Sequence, residues 1–268
     1  MYSFSHSGNL GDIVFSLHFC KELMEYKQEH CLNFHIQTNV SARYSDPHPY
    51  INVRMTELSA KMLKPLLEYQ DYINEVTFSN KIPENYLNLD YFRNQKLNFF
   101  AGDIRSWYYV LTKKHLPRKF YEKTLFAPVD KTYENKIIIA NTERYQNFYI
   151  DYKLLKPFED NLVFCGAEYE YIIFKNKSHV NCEYRKINDF LEFASIVEGA
   201  KGFIANQSGL YSIVECMKCP RILITPEFIY KKGRTFNGPV NNHPIGGWNE
   251  VAATNSKLIS SIENLLNI

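Results

Sequence analysis

The residues best placed for chemistry form a glycine-containing turn at the start of the chain, Ser5-His6-Ser7-Gly8-Asn9-Leu10-Gly11-Asp12. Two glycines three residues apart allow a tight turn and let the backbone come close to a ligand. An amphipathic run follows directly, so Asp12 falls where a helix begins. The free N–H groups of a helix start suit a phosphate, which makes the turn a candidate ligand site. An ordinary aspartate helix cap would have the same pattern.

A second polar cluster, Asn206-Gln207-Ser208-Gly209, follows a short apolar strand near the other end of the chain. A helix cap needs one polar residue and three are consecutive here, so the cluster is a second candidate site. Glu215 lies further along the following helix among apolar neighbours. A carboxylate there must either reach water or bind a donor such as a ribose hydroxyl.

A third cluster, Asn141-Thr142-Glu143-Arg144, follows the apolar strand 136–140. The guanidinium of Arg144 could form two hydrogen bonds to a diphosphate and neutralise its charge, although a surface arginine is the alternative. All three clusters precede helices or follow strands. Ligands of open α/β sheets bind at the carboxyl ends of strands, so we expect these clusters to face one cleft.

Hydrophobic spacing predicts the elements that position these clusters. Apolar runs without alternation predict strands buried on both faces, as in a parallel sheet, and helical spacing predicts the segments between them. The predicted strands are 33–40, 86–92, 136–140, 161–166, 202–205 and 221–224. The predicted helices are 12–26, 62–76, 104–111, 190–199, 209–219 and 254–268.

Strands and helices alternate in the second half, which predicts an α/β class with helices on both faces of a parallel sheet. The polar, irregular stretch 117–135 is the best candidate for a linker. We therefore predict two α/β domains, residues 1–130 and 131–268. In an alternative arrangement, the final helix of the second domain would pack on the first domain.

The bulk composition gives no overall electrostatic attraction to nucleic acid or membrane, and it leaves a local basic patch open as an alternative. The chain has 268 residues, with 31 Lys and Arg against 29 Asp and Glu and a net charge of +2. A field strong enough to attract polyanions needs a larger excess of one sign. The sequence has no apolar run of about 18 residues and no signal-peptide pattern, so we expect a cytoplasmic protein without an integral membrane segment.

The motifs resemble those of a known family. The turn from Gly8 to Asp12 with its helix resembles the N-terminal loop of family 9 glycosyltransferases, the group that includes the ADP-heptose:lipopolysaccharide heptosyltransferases. The segment 199–209, continuing through Glu215 to Arg221, is similar to the donor-site motif of that family. Residues 141–145 are similar to the loop after the first strand of its C-terminal domain. The resemblance covers both ends and most of residues 136–226.

This resemblance implies a GT-B fold, in which two Rossmann-like domains face each other across a cleft. It implies a glycosyltransferase that moves a sugar from a nucleoside-diphosphate sugar to an acceptor hydroxyl with inversion, without a metal or another cofactor. Asp12 would be the general base, and Arg144 and Glu215 would hold the diphosphate and the ribose. The acceptor-side loop would contain His6, Gly8, Asn9 and Gly11. The donor-binding residues would be Thr142, Arg144, Asn206, Gln207, Ser208, Gly209 and Glu215.

Two features of the sequence bear on this interpretation. It contains no Asp-x-Asp pair, which metal-dependent glycosyltransferases use to hold a cation against the diphosphate. Gln207 and Ser212 stand where the family has an aspartate and a histidine, so a heptose donor and a lipopolysaccharide acceptor do not follow from the motif.

Two other interpretations stay open, a nucleotide-sugar-binding module without turnover and a sugar-nucleotide epimerase of the same fold. The expected partner is a nucleotide sugar. The acceptor could be a glycan, a lipid, a small molecule or a modified nucleic acid.

Overall fold

The computed structural model describes residues 1–42, 52–96, 104–143, 146–224, 230–231, 234–235, 249–252 and 254–267. The strands are β1 (Tyr2–His6), β2 (Leu32–Gln37), β3 (Ile73–Ser79), β4 (Leu87–Asn88), β5 (Ile137–Ala140), β6 (Leu162–Cys165), β7 (Glu183–Arg185), β8 (Gly202–Asn206), β9 (Arg221–Ile224), β10 (Tyr230–Lys231), β11 (Arg234–Thr235) and β12 (Asn249–Ala252). The α-helices are α1 (Leu10–Tyr26), α2 (Glu57–Glu68), α3 (Ile104–Trp107), α4 (Glu168–Ser178), α5 (Phe190–Gly199), α6 (Gly209–Met217) and α7 (Asn255–Leu266). The 3-10 helices are Leu89–Asn94, Tyr108–Leu111, Lys131–Tyr133 and Tyr152–Asn161. No helix within the described residues has the length and apolarity needed to cross a membrane.

The strand order of both sheets is that of nucleotide-binding folds. The second sheet has the parallel order β12-β9-β8-β5-β6-β7. Counted from β5, this is the doubly wound order 3-2-1-4-5-6. The first sheet, β3-β2-β1-β4, is also parallel and has the first four strands of that order. The order reverses between β1 and β4 and again between β5 and β8, and such reversals are where these folds bind ligands.

Two sequence predictions need correction, and one helix was not predicted. The segment 86–92, predicted as a strand, is mostly the 3-10 helix Leu89–Asn94, and only β4 pairs with β1. The helix predicted over 62–76 begins at Glu57, where the Thr56 side chain accepts a hydrogen bond from Ser59 N at 3.0 Å, and it ends at Glu68 before β3. The sequence analysis missed α4, because its apolar residues form no clear stripe on one face.

The second sheet is covered on both faces. Ile138, Val163 and Phe203 join the core of the first half, so one hydrophobic cluster runs through both halves. The alternate residues Ile137 and Ile139 face a second cluster that includes Leu258, Ile262 and Leu266 of α7. The final helix therefore packs on the second sheet, and the alternative in which it packs back on the first domain is wrong. The strands on each side of residue 130 belong to different sheets, and the domain boundary stays a prediction.

The segment predicted as a linker is docked along the second half. Cys216 O at the end of α6 accepts hydrogen bonds from Thr124 N at 2.9 Å and Leu125 N at 3.2 Å. Ser195 O in α5 accepts one from Asp130 N at 3.1 Å. These backbone contacts fix the connection between the two sheets.

Glycines allow α1 and α6 to approach closely. A Cβ atom on Gly209 would lie 2.6 Å from Leu10 Cδ2 and 2.9 Å from Leu10 Cβ, and one on Gly11 would lie 2.8 Å from Ser212 Oγ. Real Cβ atoms do not tolerate such distances. At Gly209 the Leu10 Cβ cannot turn aside, so a larger side chain there would push the helices apart, whereas at Gly11 the Ser212 hydroxyl would have to move. The contact sets the two sheets at a fixed distance from each other.

A buried ion cluster also joins the halves. Glu215 in α6 is fully buried, and its carboxylate accepts hydrogen bonds from Arg105 Nη1 of α3 at 3.2 Å, from Lys218 Nζ at 2.8 Å and from Arg221 Nε at 2.8 Å. Arg105 also donates to Phe120 O at 2.9 Å. A buried carboxylate needs such partners, because its charge is not solvated by water.

We expect Glu215→Gln to lower the free energy of unfolding by about 3–5 kcal/mol, because it removes one member of a buried, hydrogen-bonded ion cluster. Urea denaturation measures the change. The matched control is Glu68→Gln, which breaks the solvent-exposed pair of Lys64 and Glu68 at 3.1 Å on α2. Such an exposed pair contributes only about 0.3–0.5 kcal/mol. Equal losses in the two variants would contradict a structural role of the cluster.

Candidate active site

A cleft of about 520 Å³ opens where the two halves meet. The first half lines it with Asn9, Leu10, Gly11, Arg54 and Met62. The second half lines it with Thr142, Gly166, Ala167, Glu168, Glu170, Tyr184, Lys186, Ile187, Phe190, Ser208, Gly209 and Leu210. The turn after β1 and the cluster after β8 therefore reach a common cleft, as the strand order requires.

Four helix N-termini reach this cleft. The first residues of α1, α4, α5 and α6 all line it, namely Leu10, Glu168, Phe190 and Gly209. Each helix start has a partial positive charge, and the N–H groups of its first turn have no partner within the helix. Phosphate groups bind at such positions, so the cleft suits a ligand with several phosphate oxygens.

Asp12 lies in the first turn of α1, next to the cleft residue Gly11, but neither Asp12 nor Gly8 lines the cleft itself. Its Oδ2 accepts hydrogen bonds from Asn9 N at 3.0 Å and from Arg93 Nη2 at 3.0 Å, and its side chain is 18% exposed. A Cβ on Gly8 would lie 2.5 Å from Asp12 Cβ, so the glycine makes room for this residue. Asp12 thus stabilises the start of the helix and keeps its carboxylate partly open to solvent.

Sequence analysis missed Asp90, which organises the turn after β1. Its Oδ2 accepts a hydrogen bond from Ser7 N at 2.6 Å, its Oδ1 lies 3.3 Å from His6 Nδ1, and Arg54 Nη1 lies 3.7 Å away. Burial would raise the pKa of the Asp90 carboxyl, but the adjacent His6 and the Ser7 N–H outweigh it, so the pKa lies well below its usual range. Asp90 was not predicted as a site residue, because its segment was predicted as a strand.

His6 is fully buried, and it supports the loop and does not line the cleft. Its Nδ1 accepts a hydrogen bond from Gly8 N at 2.9 Å, and its Nε2 lies 2.9 Å from the Tyr108 hydroxyl. That hydroxyl donates to Asp12 O at 2.8 Å. His6 therefore fixes the shape of the turn. Asn9 and Gly11 form the surface of the turn that faces the cleft.

The residues after β5 and β8 are tied together across the strand reversal. Asn206 is fully buried; its Oδ1 accepts from Thr142 N at 3.0 Å and its Nδ2 donates to Thr142 O at 2.8 Å. Ser208 caps α6, since its Oγ accepts from Tyr211 N at 3.2 Å. Thr142, Ser208 and Gly209 line the cleft, whereas Asn206 holds the loops that form it.

Three of the predicted donor residues that the structure describes, Asn206, Gln207 and Glu215, do not line the cleft. Both carboxylate oxygens of Glu215 bind cations between the halves, so the structure gives it a packing role in place of the predicted ribose contact. Gln207 is 8% exposed and does not line the cleft. Arg144 lies outside the described residues.

The structure instead brings Glu170 to the cleft wall. Glu170 lies in the first turn of α4, after β6, and its Oε2 accepts a hydrogen bond from Ala167 N at 3.3 Å. Burial raises the pKa of its carboxyl above the usual range, although the hydrogen bond to Ala167 opposes this. An acidic residue four positions after Gly166 is a signal in the sequence for this site, but α4 was not predicted.

The fold of this chain matches solved glycosyltransferase structures. It superposes on a glycosyltransferase of family 9 from Veillonella parvula with a TM-score of 0.62 and 10% sequence identity, covering 99% of this chain and 97% of the other. For the Escherichia coli ADP-heptose lipopolysaccharide heptosyltransferase II the TM-score is 0.58 at 11% identity, covering 100% and 99%. For the E. coli heptosyltransferase WaaC with ADP the TM-score is 0.57 at 10% identity, covering 99% and 100%.

These matches confirm the predicted GT-B fold and the resemblance to family 9 glycosyltransferases at the level of the fold. No family model matches the sequence, and no curated protein does either. Because only about one residue in ten is identical, the similarity is one of fold. The roles of individual residues have to be argued from the geometry of this cleft.

The burial of Glu170 predicts a pH-dependent effect of Glu170→Gln. A carboxyl group whose pKa is higher in the folded than in the unfolded state stabilises the folded state while it is protonated. This contribution is lost as the pH rises through the folded-state pKa. We therefore expect the variant to match the wild type at about pH 4 and to have the higher free energy of unfolding at about pH 8. Urea denaturation at the two pH values measures this.

The control is Glu168→Gln, which changes an exposed carboxylate in the same helical turn. A pH-independent difference between Glu170→Gln and the wild type would contradict the effect of burial.

Proposed function

We propose that this protein is a glycosyltransferase that moves a sugar from a nucleoside-diphosphate sugar to an acceptor hydroxyl, without a metal and with inversion at the anomeric carbon. The observation that carries the proposal is the convergence of helix N-termini on one cleft, with the partly exposed Asp12 directly after the cleft residue Gly11 in the first turn of α1. The helix starts suit the diphosphate and the carboxylate suits a base. The fold shared with glycosyltransferases of family 9 supports the same activity.

The donor would bind mainly to the second half. Its diphosphate would lie at the start of α6, which has no acidic residue in its first turn, beside Ser208, Gly209 and the predicted contact Arg144, which together offset the charge of the leaving group. The names of two structural neighbours include ADP or ADP-heptose, so a nucleoside diphosphate is the natural ligand class to test. Apolar groups of Ile187 and Phe190 on the same wall suit the nucleobase.

The ribose contact would be Glu170. In doubly wound sheets, an acidic residue that follows the second strand in chain order accepts hydrogen bonds from ribose hydroxyls. Counted from β5, that strand is β6, and Glu170 follows it on the cleft wall. Glu170 therefore replaces Glu215 in the proposed donor site.

The reaction would be a single displacement with Asp12 as general base. The Asp12 carboxylate takes the proton of the acceptor hydroxyl as its oxygen bonds to the anomeric carbon of the sugar. The bond from that carbon to the β-phosphate oxygen breaks, and the nucleoside diphosphate leaves with the electron pair. Attack opposite the leaving group inverts the anomeric configuration. The acceptor class stays open among glycans, lipids, small molecules and modified nucleic acids.

We expect the wild type to release nucleotide from at least one member of a panel of UDP-, GDP-, ADP- and CMP-sugars offered with mixed acceptors. Asp12→Asn should lower kcat by about 10²–10⁴-fold, because the base is lost, and should leave nucleoside-diphosphate affinity unchanged. Nucleotide release and calorimetric titration measure the two effects.

The control is Asp151→Asn, which changes another helix-capping aspartate, one that accepts a hydrogen bond from Lys153 N at 3.0 Å. Full activity of Asp12→Asn would rule out the proposed base. Nucleotide binding without any turnover would favour the binding module, and free epimerised sugar would favour the epimerase.

We expect the wild type to bind its preferred nucleoside diphosphate about tenfold more tightly than the 2′-deoxy analogue, because a carboxylate hydrogen bond to the ribose is charge-assisted. In Glu170→Gln this discrimination should largely disappear, as measured by titration calorimetry. Glu168→Gln and Glu215→Gln are the comparisons. Loss of discrimination in Glu168→Gln alone would move the ribose contact to that residue, and loss in Glu215→Gln alone would restore the original prediction.

A further inference from the structure

The carboxylate of Asp12 is held by a second carboxylate through one arginine. Arg93 Nη2 donates to Asp12 Oδ2 at 3.0 Å, and Arg93 Nε donates to Asp90 Oδ1 at 3.1 Å. Because the guanidinium is planar and rigid, two bonds from different nitrogens fix both its position and its plane. Asp90 and Asp12 are far apart in sequence, and this bridge sets their relative orientation.

The far end of the bridge is anchored by the backbone. Asp90 opens the 3-10 helix after β4, where the Asn88 side chain accepts a hydrogen bond from Asp90 N at 2.9 Å. Its carboxylate also accepts from Ser7 N at 2.6 Å, in the turn that leads to α1. Asp90 is therefore fixed to both loops at the strand reversal of the first sheet.

The arginine itself is held between the two acids and an aromatic ring. The guanidinium carbon of Arg93 lies 4.6 Å from the centre of the Phe92 ring. Burial would lower the pKa of the Arg93 guanidinium, but the charges of Asp12 and Asp90 outweigh it and the pKa is raised above its usual range. The group is thus a permanent cation at this place.

The bridge leaves one oxygen of Asp12 available. Both hydrogen bonds described for this carboxylate, from Asn9 N and from Arg93, end on Oδ2. Two hydrogen bonds reach Oδ2 from different directions, so the carboxylate cannot rotate freely about its Cβ–Cγ bond. Its Oδ1 atom is then presented in one direction, which a base that accepts a proton from a bound hydroxyl requires.

We propose that Arg93 and Asp90 are positioning residues for the general base, with Asp90 acting through Arg93 on Asp12. The inference rests on the proposed function, since it assigns Asp12 the role of base. Neither residue needs to touch the donor, whose proposed contacts lie on the second half of the cleft. The effect of losing the bridge should therefore fall on kcat and leave donor affinity unchanged.

The test uses the full-length protein and the donor found in the nucleotide-sugar panel. We expect Arg93→Ala to lower kcat about 100-fold with an unchanged Kd for the free nucleoside diphosphate, and Asp90→Asn to lower it about tenfold. Guanidinium chloride at concentrations below those that unfold the protein should restore part of the kcat of Arg93→Ala. Arg93→Lys should recover little, because an ammonium group cannot bridge two carboxylates in one plane.

A double variant separates positioning from a merely structural effect. In an Asp12→Asn background, Arg93→Ala should cause little further loss of kcat, because the residue it positions is already gone. The matched control is Arg118→Ala, which removes another arginine of the first half that lies over an aromatic ring, 5.2 Å from the centre of Tyr109. We expect this variant to keep wild-type kcat and to show no response to guanidinium.

The outcomes distinguish this inference from the proposed function. Wild-type turnover with equal kcat in Arg93→Ala and Arg118→Ala overturns the inference alone. Losses of kcat that simply multiply in the double variant also overturn it. Absence of turnover by the wild type on the whole panel overturns the proposed function and, with it, this inference.

Discussion

The close contact between α1 and α6 is the constraint on which the rest of the structure depends. Gly11 and Gly209 remove the side chains that would separate the two helix starts, and Leu10 and Ser212 fill the space. Because each helix begins directly after a central strand, this contact brings the ligand-binding edges of two parallel sheets together. The cleft, the two helix starts that meet there and the position of Asp12 all follow from that approach.

Charge is balanced differently on the two sides of this contact. Beside the cleft, Asp12, Arg93 and Asp90 form a partly exposed chain in which one cation is shared by two acids. In the interior, Glu215 is surrounded by cations from both halves of the chain and has no access to solvent. The first arrangement keeps a carboxylate available for a ligand, whereas the second stabilises the association of the halves. A carboxylate on or near a helix can therefore either stay available for a ligand or stabilise the packing of the two halves. Its burial and its charged partners decide between these roles.

Much of the fold could be predicted from sequence periodicity. The apolar runs at 136–140, 161–166, 202–205 and 221–224 had to be buried on both faces, and each is a parallel strand in the structure. The candidate site was predicted in part, because Asn9, Gly11, Thr142, Ser208 and Gly209 do line the cleft. Glu170 was missed because α4 has no clear apolar stripe, and Asp90 because its segment alternates like a strand.

The sequence by itself determined the alternation of strands and helices, the glycine turns at the starts of α1 and α6, and the position of an acid just inside α1. These features are local, since they depend on the conformations of neighbouring residues and on the period of the apolar side chains. Only the tertiary structure decided which polar groups meet. Asp12 with Arg93, Asp90 with Ser7, Asn206 with Thr142 and Glu215 with Arg105 are pairs from distant segments. Strand order and helix packing bring them together, and neither can be read from the spacing of residues along the chain.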